Sequence, residues 1–100
     1  MSEIRRLFPA KVQDLLCEPQ QWTQGVWARD YQGNPCLGDL FCAECWCLME
    51  AIICCYATRE YTLVLQTVYE AIGQRNIDEW QDHPERTFAE IRALIERLDI

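Results

Sequence analysis

Seven cysteines in a chain of 100 residues are the side chains with the most obvious potential for chemistry. Cys42 and Cys45 have the C-x-x-C spacing of a zinc knuckle, and Cys36, Cys47 or His83 could complete a tetrahedral site. The sequence has no second C-x-x-C pair, and the knuckle lacks the glycine or proline that helps a backbone to wrap a metal. We therefore expect buried reduced thiols and no cofactor. The alternatives are a zinc-stabilised module, a small metal-dependent enzyme or a redox pair of thiols.

The single histidine, His83, lies among carboxylates in the stretch from residue 80 to residue 85. A histidine with flanking carboxylates is typical of a general base or a metal ligand. The sequence supplies no nucleophile with a partner, no glycine-rich phosphate loop and no second histidine. We therefore expect Asp82 and His83 to organise a turn before Pro84. The sequence favours a protein without enzymatic activity.

Four tryptophans are a further group that could form a binding site. In a small domain, bulky aromatic side chains serve equally well as core or as interface anchors. We expect Trp22, Trp46 and Trp80 to lie in the core. Trp27, beside Arg29 in a loop, is expected to be exposed.

The charge balance limits the possible partners. Nine lysines and arginines against sixteen aspartates and glutamates leave a net charge of −7, which disfavours direct nucleic-acid binding because such binding neutralises phosphates. Seven acidic residues against three arginines lie at residues 77–100. This segment could mimic nucleic-acid phosphates in a basic groove of another protein. Alternatively, it is a solvated helix face in which Arg92 pairs with Glu96.

The spacing of apolar residues predicts four helices that must position these groups. The first covers residues 9–17, because Pro9 suits the first helical position. The second, at residues 40–57, is apolar almost all round and has Asp39 as its N-cap. The third covers residues 61–72 and ends at Gly73.

A fourth helix begins after Thr87, because Thr87-Phe88-Ala89-Glu90 is a capping box. Residues 77–80 are expected to form a short helical turn. The segment at residues 21–39 reads as a loop pinned by aromatic side chains, with at most a small hairpin, because the possible strand at residues 26–31 has no obvious partner. The predicted fold is one all-α domain, residues 1–100, built as a bundle of about four helices around a central apolar helix.

Three motifs in order suggest a family. They are Trp22-Thr23-Gln24-Gly25, then Trp46-Cys47-Leu48 with Ala51-Ile52, then Trp80-x-Asp82-x-Pro84-x-Arg86-Thr87. From residue 15 to residue 98 the chain resembles a family of small uncharacterised bacterial proteins with the pattern W-x-Q-G, [RW]-x-C-x-x-G-A-[IL] and W-N-D-x-P-x-R-T.

The resemblance implies a helical fold in which the turn at residues 80–87 packs near Trp22 and Cys47, and it implies no activity. Two residues depart from the pattern: Glu50 stands where the family usually has glycine, and Gln81 replaces asparagine. A buried carboxylate without a partner is costly, so we expect an arginine to compensate Glu50, with Arg86 preferred over Arg29.

No apolar run reaches the roughly 18–20 residues that span a bilayer, and residues 1–6 do not begin a signal peptide. We therefore expect a cytoplasmic protein without membrane contact. The apolar helix at residues 40–57, incompletely covered by three short helices, predicts a non-enzymatic module that binds another protein or a second copy of itself. An acidic inhibitor or nucleic-acid mimic of the phage-related type, binding a basic partner, is the alternative. The candidate interaction residues are Trp27, Arg29, Glu50, Asp82 and Arg86.

Overall fold

The computed structural model describes residues 7–100, so the signal-peptide prediction on residues 1–6 lies outside the described residues. Within residues 7–100, five α-helices pack with a three-stranded antiparallel sheet. The helices are α1 (Val12–Leu15), α2 (Leu48–Cys55), α3 (Thr58–Ile72), α4 (Ile77–Gln81) and α5 (Phe88–Leu98), with a single 3₁₀ turn at Pro19–Gln21. The strands are β1 (Ala28–Asp30), β2 (Pro35–Cys36) and β3 (Ala43–Trp46).

The all-α prediction is therefore wrong, and the sheet is the reason. Its order is β2-β1-β3, and Ala28 in β1 pairs with Cys36 on one side and with Trp46 on the other. The β1–β2 turn is built locally: Asp30 Oδ1 accepts the backbone N–H groups of Gln32 and Asn34, each at 2.9 Å. The segment at residues 21–39 thus contains a real hairpin, and β3 supplies the partner that the sequence reading did not find.

The predicted helix at residues 40–57 begins eight residues later than expected. Asp39 is not its N-cap; the cap is Cys47, whose Sγ accepts the backbone N–H of Glu50 at 3.4 Å. The residues before it form β3, because pairing with β1 satisfies their backbone groups and buries Ala43 and Trp46. Tertiary pairing here overrides a local pattern that is equally compatible with a helix.

The first helix is also shorter than the predicted residues 9–17. Only α1 is helical there, and Lys11 at its N-cap makes no side-chain capping bond. The other end of the chain holds this region: the backbone N–H of Gln13 donates to Ile100 O at 3.0 Å, and Arg92 Nη1 donates to the carbonyls of Gln13 and Leu16. Long-range bonds, rather than helix length, hold this segment in place.

The helix signals of the second half of the chain are confirmed. Gly73 ends α3 with a left-handed φ of 76°. Thr87 and Glu90 form the predicted capping box of α5, in which each side chain satisfies a backbone N–H of the other. Residues 77–80 fall within α4.

The core lies around α2, which packs against α1, α3 and α4. No helix in the described part of the chain is long and apolar enough to cross a membrane. The most deeply buried side chains come from every helix and two strands: Val12, Leu16, Ala28, Ala43, Leu48, Ala51, Ile52, Val68, Ile77, Ile91 and Ile95.

Candidate functional site

Gln81, at the end of α4, is fully buried and uses both ends of its side-chain amide. Its Oε1 accepts the indole N–H of Trp22 at 2.6 Å and the backbone N–H of Leu48 at 2.8 Å. Its Nε2 donates to Asp82 Oδ1 at 2.5 Å. One side chain therefore connects α4 to the start of α2 and to the segment before β1. It holds the turn at residues 80–87 beside Trp22, in the arrangement that the family resemblance implies.

The segment before β1 packs on the same turn through three more hydrogen bonds. Gln24 Nε2 donates to the carbonyl of Gln81 at 2.8 Å and to that of His83 at 3.1 Å, while the backbone N–H of Gly25 donates to Asp82 Oδ1 at 3.0 Å. The ring Nδ1 of His83 accepts the backbone N–H two residues further on. The predicted role of His83 in organising the turn is confirmed, whereas the carboxylate of Asp82 bonds to the side chain of Gln81 and to the distant backbone of Gly25.

A cavity of about 470 Å³ lies between this hairpin region and α4. Val26, Trp27, Pro35 and Leu37 contribute an apolar wall, and the carboxylates at positions 78 and 82 contribute a polar one. Ligand sites in proteins are concave, roughly 300–1,000 Å³ in volume, and mostly apolar with a few placed polar groups. The cavity therefore has the size and lining of a binding site.

Asp78 and Asp82 are one helical turn apart at α4, which places both carboxylates on one face. Asp78 is half-buried, and burial together with the charge of Asp82 raises its pKa above the ordinary value. Within residues 7–100, no salt bridge joins either carboxylate to a basic side chain. The cavity therefore carries negative charge that is not neutralised by the described part of the chain.

Cys47 also lines the cavity, but its thiol is not activated as a nucleophile. Burial chiefly, together with the charge of nearby carboxylates, raises the pKa of its thiol to about 12 against the opposing hydrogen bond from the backbone of Glu50. Burial likewise raises the pKa of Cys36, another lining residue, to about 11. The thiolate is the reactive form of cysteine. Both lining thiols are therefore neutral at physiological pH, and the arrangement suits binding rather than nucleophilic catalysis.

Trp27 and Trp46 take the predicted positions, whereas Trp22 and Trp80 do so only in part. Trp27 is 58% exposed at the mouth of the cavity, whereas Trp46 is buried and donates its indole N–H to a backbone carbonyl at 2.8 Å. Trp22 and Trp80 pack partly buried against the core. Among these four side chains, Trp27 is therefore the one whose ring is exposed enough to contact a partner.

Arg29 lies in β1 and braces the preceding loop. Its guanidinium donates to Thr23 Oγ1 at 2.9 Å, to the carbonyl of Gly33 at 3.0 Å and to that of Gln24 at 3.3 Å. These bonds fix the approach of the chain to the cavity. The side chain of Arg29 thus stabilises the segments that flank β1 and makes no salt bridge with Glu50.

The expected pair of Arg86 with Glu50 is wrong. The carboxylate of Glu50 accepts the backbone N–H of Gly38 at 3.2 Å, and burial raises the pKa of Glu50 despite that bond. A side chain at position 38 would meet Glu50 Oε2 at 2.8 Å, so only glycine allows this approach. Arg86 instead lies 3.8 Å above the ring of Trp80 and pairs with Glu90 at 2.9 Å. A backbone N–H compensates Glu50 because the loop before β3 passes directly over it.

The candidate zinc ligands do not form a metal site, although the thiols of Cys36 and Cys42 lie next to each other. Among residues 7–100, no three side chains of histidine, cysteine, aspartate or glutamate are arranged to hold a metal ion. Cys42 is exposed before β3, Cys45 lies within β3 with its Sγ 3.9 Å from the carbonyl of Arg29, and His83 is exposed in the turn after α4.

The acidic segment at residues 77–100 is partly neutralised within the molecule, and the predicted pair of Arg92 with Glu96 is confirmed at 3.2 Å. Three of its seven acidic side chains form salt bridges: Glu90 with Arg86, Glu96 with Arg92, and Asp99 with Lys11. The carboxylates of Asp78 and Asp82 thus differ from these three in facing a cavity.

Asp78, Gln81 and Gln24 are the site residues that the sequence reading missed. The i,i+4 spacing of Asp78 and Asp82 is visible in the sequence and would have placed both on one helix face. The roles of the two glutamines carry no local signal, because all but one of their partners lie 33 to 59 residues away along the chain.

Comparison with known proteins identifies the family but no characterised relative. No curated protein and no solved structure gives a significant match. The model of a family of unknown function, DUF6197, matches residues 10–98, nearly the full length of the chain and almost the same span as the resemblance found from the motifs. The chain therefore belongs to DUF6197, a family of unknown function.

Proposed function

We propose that this chain is a non-enzymatic cytoplasmic module that binds a partner protein bearing basic side chains, through the face around the cavity. The observation that carries the proposal is the cavity of about 470 Å³ in which an apolar wall meets two carboxylates without a salt bridge in the described part of the chain. Such a lining combines the two attractions that hold protein partners, apolar burial and complementary charge.

Exposed apolar side chains close to the cavity in the sequence support a protein as the ligand. Trp27, Leu37 and Phe41 are 58%, 52% and 65% exposed. Large exposed apolar side chains grouped beside polar ones mark interaction sites, and tryptophan is a frequent anchor. This face replaces the one inferred from the apolar helix, since α2 buries Leu48, Ala51 and Ile52 in the core.

The charge of the molecule selects the partner. A net charge of −7 attracts basic proteins over long range and accelerates their association. The acidic segment at residues 77–100 gives less support to a phosphate-mimicking inhibitor, because three of its carboxylates are bound by the protein's own basic side chains.

A double substitution in the exposed apolar group tests the proposal. Tagged wild-type protein and the Leu37→Ser/Phe41→Ser variant would be used to recover partners from the source cells, with quantitative mass spectrometry of the bound proteins. We expect a basic protein whose recovery falls at least about tenfold in the variant, as expected when interface anchors are removed, and falls as salt rises.

Leu63→Ser is the matched control, because Leu63 is 71% exposed on α3 and lies outside the cavity. It should leave recovery unchanged. Recovery of the same proteins by the double variant, with a native circular dichroism spectrum, would contradict the proposal. Native mass spectrometry of the purified protein shows separately whether a second copy is bound.

A further inference from the structure

We propose that the cavity is a receptor for a single arginine side chain of the partner, held between the indole of Trp27 and the carboxylates of Asp78 and Asp82. This inference rests on the proposed function and names the group that the site recognises. The three residues line one cavity.

The residue types that line the cavity suit a long side chain with an apolar stem and a charged end. Val26, Pro35 and Leu37 supply apolar surface for the methylene groups, and the carboxylates lie on α4. Arginine buries its stem along apolar surface while its head binds polar groups. A wholly apolar ligand would bury both carboxylates without compensation, which is costly.

The two carboxylates suit a planar donor with several N–H groups. Within residues 7–100, both hydrogen bonds to the carboxylate of Asp82 go to Oδ1, from Gln81 and Gly25, and they fix the group while leaving Oδ2 for a ligand. Asp78 lies one turn earlier on the same face. A guanidinium has five N–H donors in a rigid fork and is more weakly hydrated than an ammonium, so it satisfies two such acceptors better than lysine does.

The protein itself contains the same combination of groups elsewhere. The guanidinium of Arg86 lies 3.8 Å above the ring of Trp80, and its Nη1 pairs with the carboxylate of Glu90 at 2.9 Å. An aromatic face with a carboxylate beside it thus already holds an arginine in this fold. The cavity presents a tryptophan and two carboxylates without a basic partner among residues 7–100.

Two other classes of ligand fit less well. An anion would be repelled by Asp78 and Asp82. A metal ion needs more ligands than these, and no group of three suitable side chains exists among the described residues. A cationic group that also stacks on an aromatic ring is the remaining match to the lining.

Titration with a minimal probe tests the inference directly. N-acetyl-arginine amide would be added to ¹⁵N-labelled full-length protein, and the indole and backbone N–H signals would be followed by NMR. We expect the Trp27 indole and the Gly25 amide to shift, with a dissociation constant on the order of 1 mM for so small a ligand. The indoles of Trp22 and Trp46 are bonded inside the protein and serve as internal references.

Matched probes and variants separate charge recognition from apolar contact. N-acetyl-norleucine amide, which has a similar stem and no charge, should bind at least about tenfold more weakly, as should the arginine probe to Asp78→Asn. Glu79→Gln removes the same charge from the adjacent, exposed position of α4 and should bind like wild type. Equal binding of the two probes, equal binding to Asp78→Asn, or no shift at the cavity would each overturn the inference.

The outcome is separable from that of the partner experiment. If the probe fails while Leu37→Ser/Phe41→Ser still loses its partner, the docking face stands and the arginine receptor is wrong. If the probe binds in the cavity and the double variant keeps every partner, the arginine receptor stands and the proposed docking face is wrong.

Discussion

In two regions of this small protein a tryptophan occurs together with carboxylates. The regions differ in whether a basic side chain of the protein binds to these groups. At the start of α5, Arg86 covers the ring of Trp80, pairs with Glu90 and donates to the carbonyl of Trp80 at 3.0 Å. In the cavity, Trp27 and two carboxylates have no basic partner within residues 7–100. The first region is completed by the chain itself, whereas we propose that the second is completed by a binding partner.

Gln81 links the two regions, since its neighbours Trp80 and Asp82 belong to one each, and its loss should have the largest effect. Gln81→Ala removes the acceptor of two buried N–H groups, on Trp22 and Leu48, and leaves a void. We expect the free energy of unfolding to fall by about 3–5 kcal/mol, measured by urea denaturation. Gln66→Ala, at an exposed position of α3, is the control, and an equally small loss in both variants would show that Gln81 does not organise the site.

Removing the cation of Arg86 from the region around Trp80 should lower the free energy of unfolding by an intermediate amount. Arg86→Met keeps an apolar stem but abolishes the contact with the Trp80 ring and the bond to its carbonyl. We expect a loss of about 1–2 kcal/mol, seen as a lower denaturation midpoint. Arg75→Met, at an exposed position, should change little. If Arg86→Met is as stable as wild type, the contrast between the two regions does not hold.

Removing a charge from the cavity should increase the free energy of unfolding, and this is the smallest of the three effects. Burial and the charge of Asp82 raise the pKa of Asp78, so its ionised form costs folding free energy at neutral pH. Asp78→Asn should therefore raise the free energy of unfolding at pH 7, by less than about 1 kcal/mol because the group is partly exposed.

This gain should begin to shrink as the pH falls through the raised pKa of Asp78 and vanish below the ordinary pKa of an aspartate, where the wild-type carboxyl is protonated in both the folded and the unfolded chain. Urea denaturation of both proteins at pH 7 and at about pH 3 measures it, with Glu79→Gln as the control for net charge. A gain that persists at the lower pH would mean that the charge of Asp78 is not its cause.

Features encoded within a few residues were predictable. The capping box of Thr87 and Glu90, the glycine end of α3 and the turn organised by His83 were all expected and all are present. Each depends on a side chain and a backbone group close together in the sequence. Trp27 was also expected to be exposed, because its loop offers polar neighbours.

The largest error, the helix at residues 40–57, has the opposite cause. Except for Glu44, the residues of β3 are apolar and compatible with either a strand or a helix. Nothing in the local sequence indicates that β1, about 15 residues earlier, will pair with them. For the same reason the N-cap of α2 is Cys47 and not the predicted Asp39, since the helix can begin only where β3 ends. The expected partner of Glu50 failed likewise, because a backbone N–H brought close by the loop replaced the arginine.

By itself, the sequence determined the family, the acidic charge, the local stops and caps, and the exposed tryptophan. The tertiary structure alone decided the sheet, the buried amide of Gln81 and the cavity with its two carboxylates. These depend on groups brought together from distant parts of the chain, such as Trp22 and Gln81, which are 59 residues apart. Local periodicity reports which face of a segment is apolar, but the packing of the whole chain selects the partner that meets it.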